Sequence, residues 1–273
     1  MPLDLVKSHA YGNDFLLVPG DQVRDRDPAE LARALCDRQT GVGADGVILF
    51  RPVSGGAEMR LLNADGSRAE VSGNGVRCLA AWLLESGLVE ERASSPVVIR
   101  TEAGEKRLWP LGRDGRRRAF RAEMGQPTDL AERRLRVGAD DLTVVTLRVG
   151  NPQCVVLGEA TDDRLHQYGL ALATHPAFPE GSNVEFVSVE APGVVRMVIW
   201  ERGVGPTLAS GTGACAAAVA AMAYGGAARA VDVVAPGGTQ HVEWRDDGIY
   251  LTGWAAVILE GRWLAGPGDR VTG

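Results

Sequence analysis

The chain has 273 residues, of which 45% are hydrophobic and 23% are charged, and its formal net charge is −6. This length can bury one large core or two medium ones, and the composition is ordinary for a water-soluble globular protein. The acidic balance argues against a general nucleic-acid-binding role, and the lack of an 18-residue apolar run argues against a membrane span.

The N-terminal segment and the cysteine usage favour a cytoplasmic protein. The first residues, MPLDLVKSHAYGNDF, have neither the basic start nor the apolar core of a signal peptide. The four cysteines are widely scattered without metal-ligand spacing, so we expect free thiols in a reducing compartment and no metal site. They are Cys36, Cys78, Cys154 and Cys215.

The first half of the sequence predicts short strands and two helices. A helix over 29–36 follows Asp27-Pro28, and a helix over 76–84 carries apolar residues at helical spacing. Clusters of turn residues separate the strands. The predicted strands cover residues 3–6, 15–18, 47–50, 59–62, 97–101, 105–110 and 119–123.

Two polar stretches lie near the middle of the chain. The basic run 113–121 contains an Asp-Gly turn, which favours an exposed hairpin over a binding patch. The polar, proline-bearing stretch 125–142 is the expected zone between two halves. We therefore predict domains over 1–125 and 126–273, and a C-terminal strand that crosses back to the first half is an open alternative.

The second half contains the most informative stretch, residues 201–222, with the sequence ERGVGPTLASGTGACAAAVAAM. A glycine-rich turn leads to Ser210 at the N-cap position of a helix made almost wholly of small apolar residues. Such a helix is predicted to be buried, and its N-terminus can bind a carboxylate through free N–H groups and the helix dipole. A buried helix entered through a flexible turn would look the same, so this stretch alone leaves both interpretations open.

A second copy of the pattern favours the binding interpretation. In VSGNGVRCLAAWLL, Ser72 lies 138 positions before Ser210, and glycines follow both serines at the same two places. The same offset relates Asn63 to Glu201, and the YGNDF segment to VGNPQ. The chain is therefore predicted to be two related half-domains of α+β architecture, in which antiparallel strands wrap around two apolar helices.

The motifs HAYGNDF, GVGADG, LNADGS, SGNGVRC, GNPQ, SNVEFV and ERGVGPTLASGTGACA together resemble the diaminopimelate epimerase family. The resemblance runs from about residue 7 to residue 217 in the family's order and spacing, whereas proline racemases match these motifs poorly. It implies two pseudo-repeated half-domains, each a β-barrel-like sheet around a central helix, with the active site in the cleft between them. It also implies inversion at an amino-acid α-carbon by two bases on opposite faces, with no cofactor.

The catalytic positions that the resemblance implies carry unusual residues. The family's two bases are cysteines, whose thiol pKa of about 8.5 falls further at a helix N-terminus. Here both positions are serines, Ser72 and Ser210, and a serine hydroxyl usually needs an adjacent base. Gln153 stands where the family has a histidine, and Glu201 completes the implied catalytic set. The sequence leaves open whether the serines are natural or were introduced to trap a ligand, although Gln153 favours a natural relative.

The substrate contacts that the resemblance implies have the expected residue types. Glu201 suits an ammonium group, and Arg202 suits a bidentate grip on a carboxylate. For the asparagines, the alternative is that strand-end polar residues merely cap turns. His9, Asp45 and Asp65 are expected to brace loops. The implied contacts are Asn13, Asn63, Gly73, Asn74, Asn151, Asn183, Glu201, Arg202, Gly211 and Thr212.

The sequence thus predicts a cytoplasmic amino-acid epimerase or racemase of lysine biosynthesis, closest to diaminopimelate epimerase, with an altered or impaired two-base site. Its expected partner is a small amino-acid substrate, without nucleic acid or membrane, and a homodimer is an open expectation. Two alternatives remain. One is an isomerase or lyase on the same scaffold, resembling the phenazine-biosynthesis isomerases, with Glu201 as a carboxylate base. The other is a catalytically silent binder of a zwitterionic metabolite.

Overall fold

The computed structural model describes residues 2–69, 71–92 and 94–264. Within these residues the chain forms four α-helices, one short 3-10 helix at Gly20–Val23, and 17 strands. The helices are α1 (Pro28–Cys36), α2 (Gly73–Glu85), α3 (Asp162–Ala173) and α4 (Gly211–Tyr224). The strands are β1 (Leu3–Ala10), β2 (Asn13–Pro19), β3 (Gly46–Val53), β4 (Gly56–Asn63), β5 (Arg68–Ala69), β6 (Val97–Thr101), β7 (Gly104–Asp114), β8 (Arg117–Gly125), β9 (Thr128–Val137), β10 (Asp140–Val149), β11 (Asn151–Leu157), β12 (Asn183–Ala191), β13 (Val194–Glu201), β14 (Gly205–Thr207), β15 (Ala230–Ala235), β16 (Gly238–Arg245) and β17 (Gly248–Trp263).

The backbone contacts divide the chain into two compact units. Unit 1 comprises the chain up to Phe120 together with the segment that begins at Trp254, and unit 2 runs from Arg121 to Gly253. The chain therefore passes from one unit to the other within β8 and again within β17. Whether residues 1–125 and 126–273 fold as separate domains stays a prediction.

The polar stretch 125–142 is not the linker that its composition predicted. It forms β9 and the start of β10, which pair antiparallel from Asp140 opposite Val137 onward. Leu135 and Val137 of β9 are buried in a core shared with Val144. The alternation of these apolar residues with arginines is that of a half-buried strand, and this pattern outweighs the polar composition.

In unit 1 the sheet surrounds α2. The paired ladders run from β17 through β1, β2, β3 and β4 to β6 and β7, and a turn at Gly115 leads from β7 to β8, as the Asp-Gly pair predicted. The central helix α2 packs against β1, β2, β4, β6 and β7. Two of these ladders, β2–β3 and β4–β6, are parallel, which corrects the expectation of a wholly antiparallel sheet.

Unit 2 repeats this arrangement around α4. The helix begins at Gly211 as α2 begins at Gly73, and every residue from Gly211 to Ala221 is buried. It packs against β10, β11, β12, β13, β15 and β16. The ladders β11–β12 and β13–β15 are parallel, in the places that correspond to β2–β3 and β4–β6. The predicted α+β architecture of two similar units, each with a sheet around a central apolar helix, is confirmed.

The other two helices cover the outer faces of the sheets. Helix α1 contacts β3 and β4, and Leu31 and Leu35 join the core there. Helix α3, which the sequence reading missed, contacts β12 and β13 and shares a core with Val184 and Phe186. Because side chains alternate along a strand, the residues of β12 between these two point toward α4. None of the helices in the described segments combines the length and apolar character that crossing a membrane requires.

Candidate active site

The N-terminus of α2 is capped by Ser72. Its backbone is extended (φ −129°, ψ 124°), and its Oγ accepts a hydrogen bond from the Gly75 N–H at 3.0 Å. Glycine at this third helical position lets the first turn approach the sheet, because a Cβ there would lie 3.1 Å from Ile48 Cδ1. The hydroxyl that the resemblance makes a catalytic group is therefore engaged as a helix cap.

A chain of side-chain hydrogen bonds holds this first turn. Asn74 is buried and its Nδ2 donates to Asn13 Oδ1 at 3.2 Å, while the Arg77 guanidinium donates to Asn74 Oδ1. Asn13 Nδ2 in turn donates to Asp45 Oδ2 at 2.8 Å. Arg77 is fully buried and lies over the ring of Tyr11. Asn13 and Asn74 are thus brought together at the α2 N-terminus, and Asp45 braces the loop as expected.

An ion cluster supports the same loop. Asp14 accepts from Arg38 at 2.8 Å and lies 3.0 Å from Lys7 Nζ. Burial opposes ionisation of Asp14, but the hydrogen bonds from Arg38 and Lys7 outweigh it and hold the pKa of Asp14 below its usual value.

Asn63 lies at the end of β4, and its Nδ2 donates to Ser67 Oγ at 2.9 Å. This hydrogen bond is the turn-capping role that was the alternative to substrate binding for the asparagines.

The N-terminus of α4 reproduces the cap. Ser210 is extended (φ −133°, ψ 137°) and its Oγ accepts from the Gly213 N–H at 3.2 Å. Its hydroxyl also lies 3.5 Å from Thr212 Oγ1. Gln240, which the sequence reading missed, is buried on β16 and donates from Nε2 to Ser210 O at 3.2 Å. No local motif around Gln240 marks it in the sequence.

A row of polar residues crosses three neighbouring strands of unit 2. Gln153 on β11 pairs with Asn183 on β12, and the β12–β13 register continues the row to Glu201 at the end of β13. The next residues inward on these strands, Val155 and Ile199, pack in the α4 core. The row therefore faces the end of the barrel where α4 begins.

Hydrogen bonds fix the members of this row. Gln153 is 1% exposed and donates from Nε2 to Asn151 Oδ1 at 2.6 Å. Asn183 Oδ1 accepts from the Arg202 N–H at 2.9 Å, which ties the start of the glycine turn to β12. The Arg202 side chain extends over Gly181 and donates from Nη1 to Glu180 O at 2.7 Å. The predicted residues Asn151, Gln153 and Asn183 thus lie together in unit 2.

A charged residue that the sequence reading missed lies one step inward from this row. Glu185 is completely buried on β12, between Val155 and Ile199 on the neighbouring strands. Burial, and then the nearby charge of Glu201, raise the pKa of Glu185 well above its usual value. The signal was present in the sequence, because NVEFV places an acid within an apolar strand run.

The cysteines offer no replacement for the thiols. Cys78 lies inside α2, Cys215 inside α4 and Cys154 inside β11, and these three and Cys36 are buried and form no disulfide in the described part of the chain. Burial raises the pKa of Cys78 to about 12 and that of Cys36 to about 12, and it also raises the pKa of Cys154. In the described part of the chain, no cluster of three or more His, Cys, Asp or Glu side chains could hold a metal ion.

The two helix N-termini define what the site can do chemically. Each offers backbone N–H groups and the positive end of a helix dipole, which stabilise a carboxylate or a developing enolate. Neither serine has the thiol acidity needed to transfer a proton unaided near neutral pH. Each helix N-terminus by itself therefore supports anion binding strongly and proton transfer weakly.

Comparison with known proteins gives one consistent result. The family model described as diaminopimelate epimerase matches residues 5–129 and 145–258. The chain is 42% identical to the diaminopimelate epimerase of Desulforudis audaxviator over 280 residues, covering 96% of this chain and 99% of the relative. It is 38% identical to that of Desulfitobacterium hafniense, covering 95% of this chain and 97% of the relative.

Solved structures share the fold at lower identity. A probable proline racemase from Agrobacterium radiobacter superposes with a TM-score of 0.77 at 21% identity, covering 98% of this chain and 94% of its own. A Bacillus anthracis phenazine biosynthesis protein superposes with a TM-score of 0.72 at 15% identity, covering 97% and 100%. At these identities the likeness concerns the fold alone.

Proposed function

The chain belongs to the diaminopimelate epimerase family and is an isomerase of that family, and we propose that it binds diaminopimelate but inverts its α-carbon slowly. The observation that carries this proposal is the matched pair of serine caps. Ser72 and Ser210 hold the first turns of α2 and α4 in nearly the same geometry, with cap hydrogen bonds of 3.0 and 3.2 Å. Binding requires those helix N-termini, whereas inversion requires groups that exchange protons.

Substrate recognition follows from the charges of unit 2. The exposed guanidinium of Arg202 matches a carboxylate fork, and Glu201 beside it matches an ammonium group. A zwitterionic amino acid presents both charges on one carbon. These side chains therefore favour an amino-acid substrate over a simple dicarboxylate.

The slow inversion follows from the side chains at the proton-transfer positions. A hydroxyl is a far weaker acid than a thiol, and both hydroxyls already accept a hydrogen bond as helix caps. Gln153 can orient a ligand but cannot exchange a proton. Each inversion would need one group to remove the α-proton and a second to deliver a proton opposite it.

A one-base isomerase is the second candidate function. The observation that favours it is the position of Glu201, a carboxylate in the same row as Gln153 and Asn183. A carboxylate can accept an α-proton and return it to the same or a neighbouring carbon without a partner thiol. Glu201 would then be the base, and a proton that it returns to the α-carbon would arrive on the face that it left, so the configuration there would be kept.

Proton NMR of LL-diaminopimelate with the protein in deuterated water separates these functions. Slow exchange of the α-proton with formation of the meso isomer supports the impaired epimerase. Exchange without inversion supports the one-base isomerase. Saturable binding without exchange identifies a silent binder, and the absence of binding overturns diaminopimelate as the ligand.

The cellular setting forms part of the same proposal. Four buried cysteines without a disulfide among the described residues suit a reducing compartment, and the family's role in amino-acid biosynthesis supports a cytoplasmic location. A homodimer is the proposed assembly. Sedimentation equilibrium at micromolar concentration tests it, because a monomer mass of 28.9 kDa contradicts it.

A further inference from the structure

Glu185 is an ionisable residue in the interior of unit 2. Its relative exposure is 0%, and neither Oε1 nor Oε2 has a hydrogen-bond partner among the described residues. A buried carboxylate without partners is among the most costly groups in a protein interior, so such a group is expected to hold a proton. The residue is therefore a neutral carboxylic acid in an apolar core, or it serves a purpose that compensates for its cost.

The Glu185 side chain points at the first turn of α4. A Cβ placed on Gly213 would lie 2.9 Å from Glu185 Oε1 and 3.1 Å from Ser210 Cβ. The carboxyl and the capping serine thus approach the same side of Gly213, and only a glycine leaves room for both. This places the acid directly beneath the helix N-terminus to which the candidate site belongs.

The pseudo-repeat shows that the fold does not require an acid at this position. Ile48 occupies the equivalent place in unit 1, paired with Leu17 on the preceding strand and Leu61 on the following one. Glu185 is paired in the same way with Val155 and Ile199. Ile48 also lies beneath the first turn of its helix, α2, since its Cδ1 would be 3.1 Å from a Cβ on Gly75. An apolar side chain fills this position in one unit and a carboxylic acid fills it in the other.

Other polar groups face Glu185 from the neighbouring elements. On β13, Glu201 is its diagonal neighbour across the strand pair, a relationship that brings side chains to about 7–8 Å. On β11, the buried Oε1 of Gln153 also lacks a hydrogen-bond partner within the described part of the chain, while Cys154 points to the opposite face of the strand. Helix α4 contributes Ser210 and the positive end of its dipole, and its sequence carries no acidic or basic side chain. On β16, Gln240 lies beside the Ser210 carbonyl.

We propose that Glu185 is the proton-holding residue of this half-site, a positioning group that keeps one negative charge on the Glu185–Glu201 pair until a cationic ligand group reaches Glu201. Without ligand, the buried Glu185 holds the proton and the partly exposed Glu201 carries the charge, because burial and the nearby Glu201 charge both oppose ionisation of Glu185. When an ammonium group binds at Glu201, it cancels the charge that opposes ionisation of Glu185. The Glu185 O–H bond then breaks in a fraction of the molecules, the electron pair stays on the carboxylate, and the proton passes to the buffer.

This inference rests on the proposed function, because it takes the ligand ammonium to bind at Glu201. It extends that function by coupling ligand binding to proton release at a residue that does not touch the ligand. The protonation state of Glu185 then depends on whether a ligand is bound at Glu201.

Isothermal titration calorimetry with meso-diaminopimelate in two buffers of different ionisation enthalpy measures the coupling. Between pH 6 and pH 9 we expect the wild-type protein to release up to one proton per ligand, in a pH-dependent way. Glu185→Gln, which keeps the shape but cannot ionise, should lose that release while still binding ligand. Glu185→Ile, which copies the unit 1 position, should do the same and replaces the first variant if glutamine prevents folding. Equal proton release by the wild-type protein and by either variant overturns the inference.

A measurement without ligand separates this inference from the proposed function. In protein labelled with ¹³C at the glutamate side-chain carboxyl carbon, the resonance absent from Glu185→Gln should titrate well above the other glutamates. The partly exposed residue Glu58 supplies the matched control, because the resonance missing from Glu58→Gln belongs to a glutamate that is not buried in the core. A high titration with no binding of diaminopimelate supports the proton-holding role and overturns the proposed ligand. Titration of Glu185 together with Glu58 overturns the inference whether or not the ligand binds.

Discussion

Ser210 accepts the Gly213 N–H at 3.2 Å, so the residue that the family resemblance predicts at a catalytic position is also the N-cap of helix α4. Ser72 has the same relationship to Gly75 at 3.0 Å. A capping side chain is fixed within the first turn of its helix, and it therefore directs its polar atom at whatever the helix N-terminus binds. One side chain thus serves the start of the helix and the chemistry of the site, and substitutions at 72 and 210 will affect both.

The first prediction concerns turnover. We expect the purified chain to epimerise LL-diaminopimelate far more slowly than an ordinary enzyme, which turns over on the order of 10 per second. The physical reason is the weak acidity of the two serine hydroxyls. Integration of the LL and meso signals by NMR over hours measures the rate. A rate near 10 per second would show that hydroxyls, or another pair of groups, suffice here.

A second prediction compares the glycines beneath the two caps. Gly213→Ala would place its Cβ 2.5 Å from Ile199 Cδ1 and 2.9 Å from Glu185 Oε1, closer than real contacts allow. We expect it to lower the free energy of unfolding by about 1–3 kcal/mol, because α4 or the strands must shift. Gly75→Ala is the matched control, since its nearest contacts are 3.1 and 3.2 Å.

For Gly75→Ala, the gain in helix propensity of about 1 kcal/mol offsets mild crowding, so the change in stability should be near zero. Urea unfolding monitored by circular dichroism measures both variants. Equal losses of stability for the two alanines would contradict the difference in packing between the units.

The sequence predicted the elements that local pattern determines. Asp27 was expected just before a helix with Pro28 at its start, and the structure has Asp27 accepting from the Ala29 N–H at 2.7 Å as the N-cap of α1. Ser210 was predicted as the N-cap of α4, as the structure has it, because capping acts within one turn. Helix α2 was predicted from residue 76, three residues after its observed start at Gly73. The two-unit architecture followed from the constant offset between these signals.

What the sequence did not predict depends on contacts between distant segments. The parallel ladder β11–β12 sets Glu185 beside Val155, and no local rule gives that register. Helix α3 was missed because its apolar residues, such as Leu165 and Leu172, are few and its composition is polar. Stretch 125–142 was misjudged because its arginines obscured the alternation of a half-buried strand. The catalytic and binding roles of the individual site residues stay predictions until the proposed experiments test them.

A third prediction concerns acid sensitivity. Asp14→Asn removes the partner of Lys7 and Arg38, and at pH 7 we expect it to cost about 1.5–3 kcal/mol of unfolding free energy. The pKa of Asp14 is lower in the folded protein than the ordinary value of 3.8, so its contribution is present above that pH. It is lost as the pH falls through the folded pKa. The wild-type protein and the variant should therefore begin to converge in stability as the pH falls below 3.8, and they should converge fully only below the folded pKa.

Denaturant titrations at pH 7, 5 and 3 measure this convergence. Asp4→Asn is the control, because Asp4 forms an exposed ion pair with Arg262 and its removal should change stability little at any of these pH values. A difference between Asp14→Asn and the wild-type protein that persists unchanged at pH 3 would show that packing, rather than charge, gives Asp14 its role.

The last prediction tests the geometry of the site apart from its chemistry. Ser72→Cys together with Ser210→Cys places a thiol at each helix N-terminus, where the dipole lowers its pKa. The double variant should invert diaminopimelate, although about ten- to a hundred-fold below a normal enzyme, because Gln153 cannot assist proton transfer. Each single variant should give at most exchange of the α-proton with solvent, since inversion needs a donor opposite the base. Adding Gln153→His should recover part of the deficit.

Alanine variants at 72 and 210 provide the control for helix capping. They remove the cap without adding a thiol, so they should lose about 1 kcal/mol of stability and gain no exchange. Deuterium incorporation and the LL-to-meso ratio, followed by NMR in deuterated water, report exchange and inversion separately. If the double cysteine variant binds diaminopimelate but shows neither, the two helix N-termini do not address opposite faces of one α-carbon. If it does not bind, the contacts around Glu201 and Arg202 serve a different ligand, and only the fold of the family should be carried over to this chain.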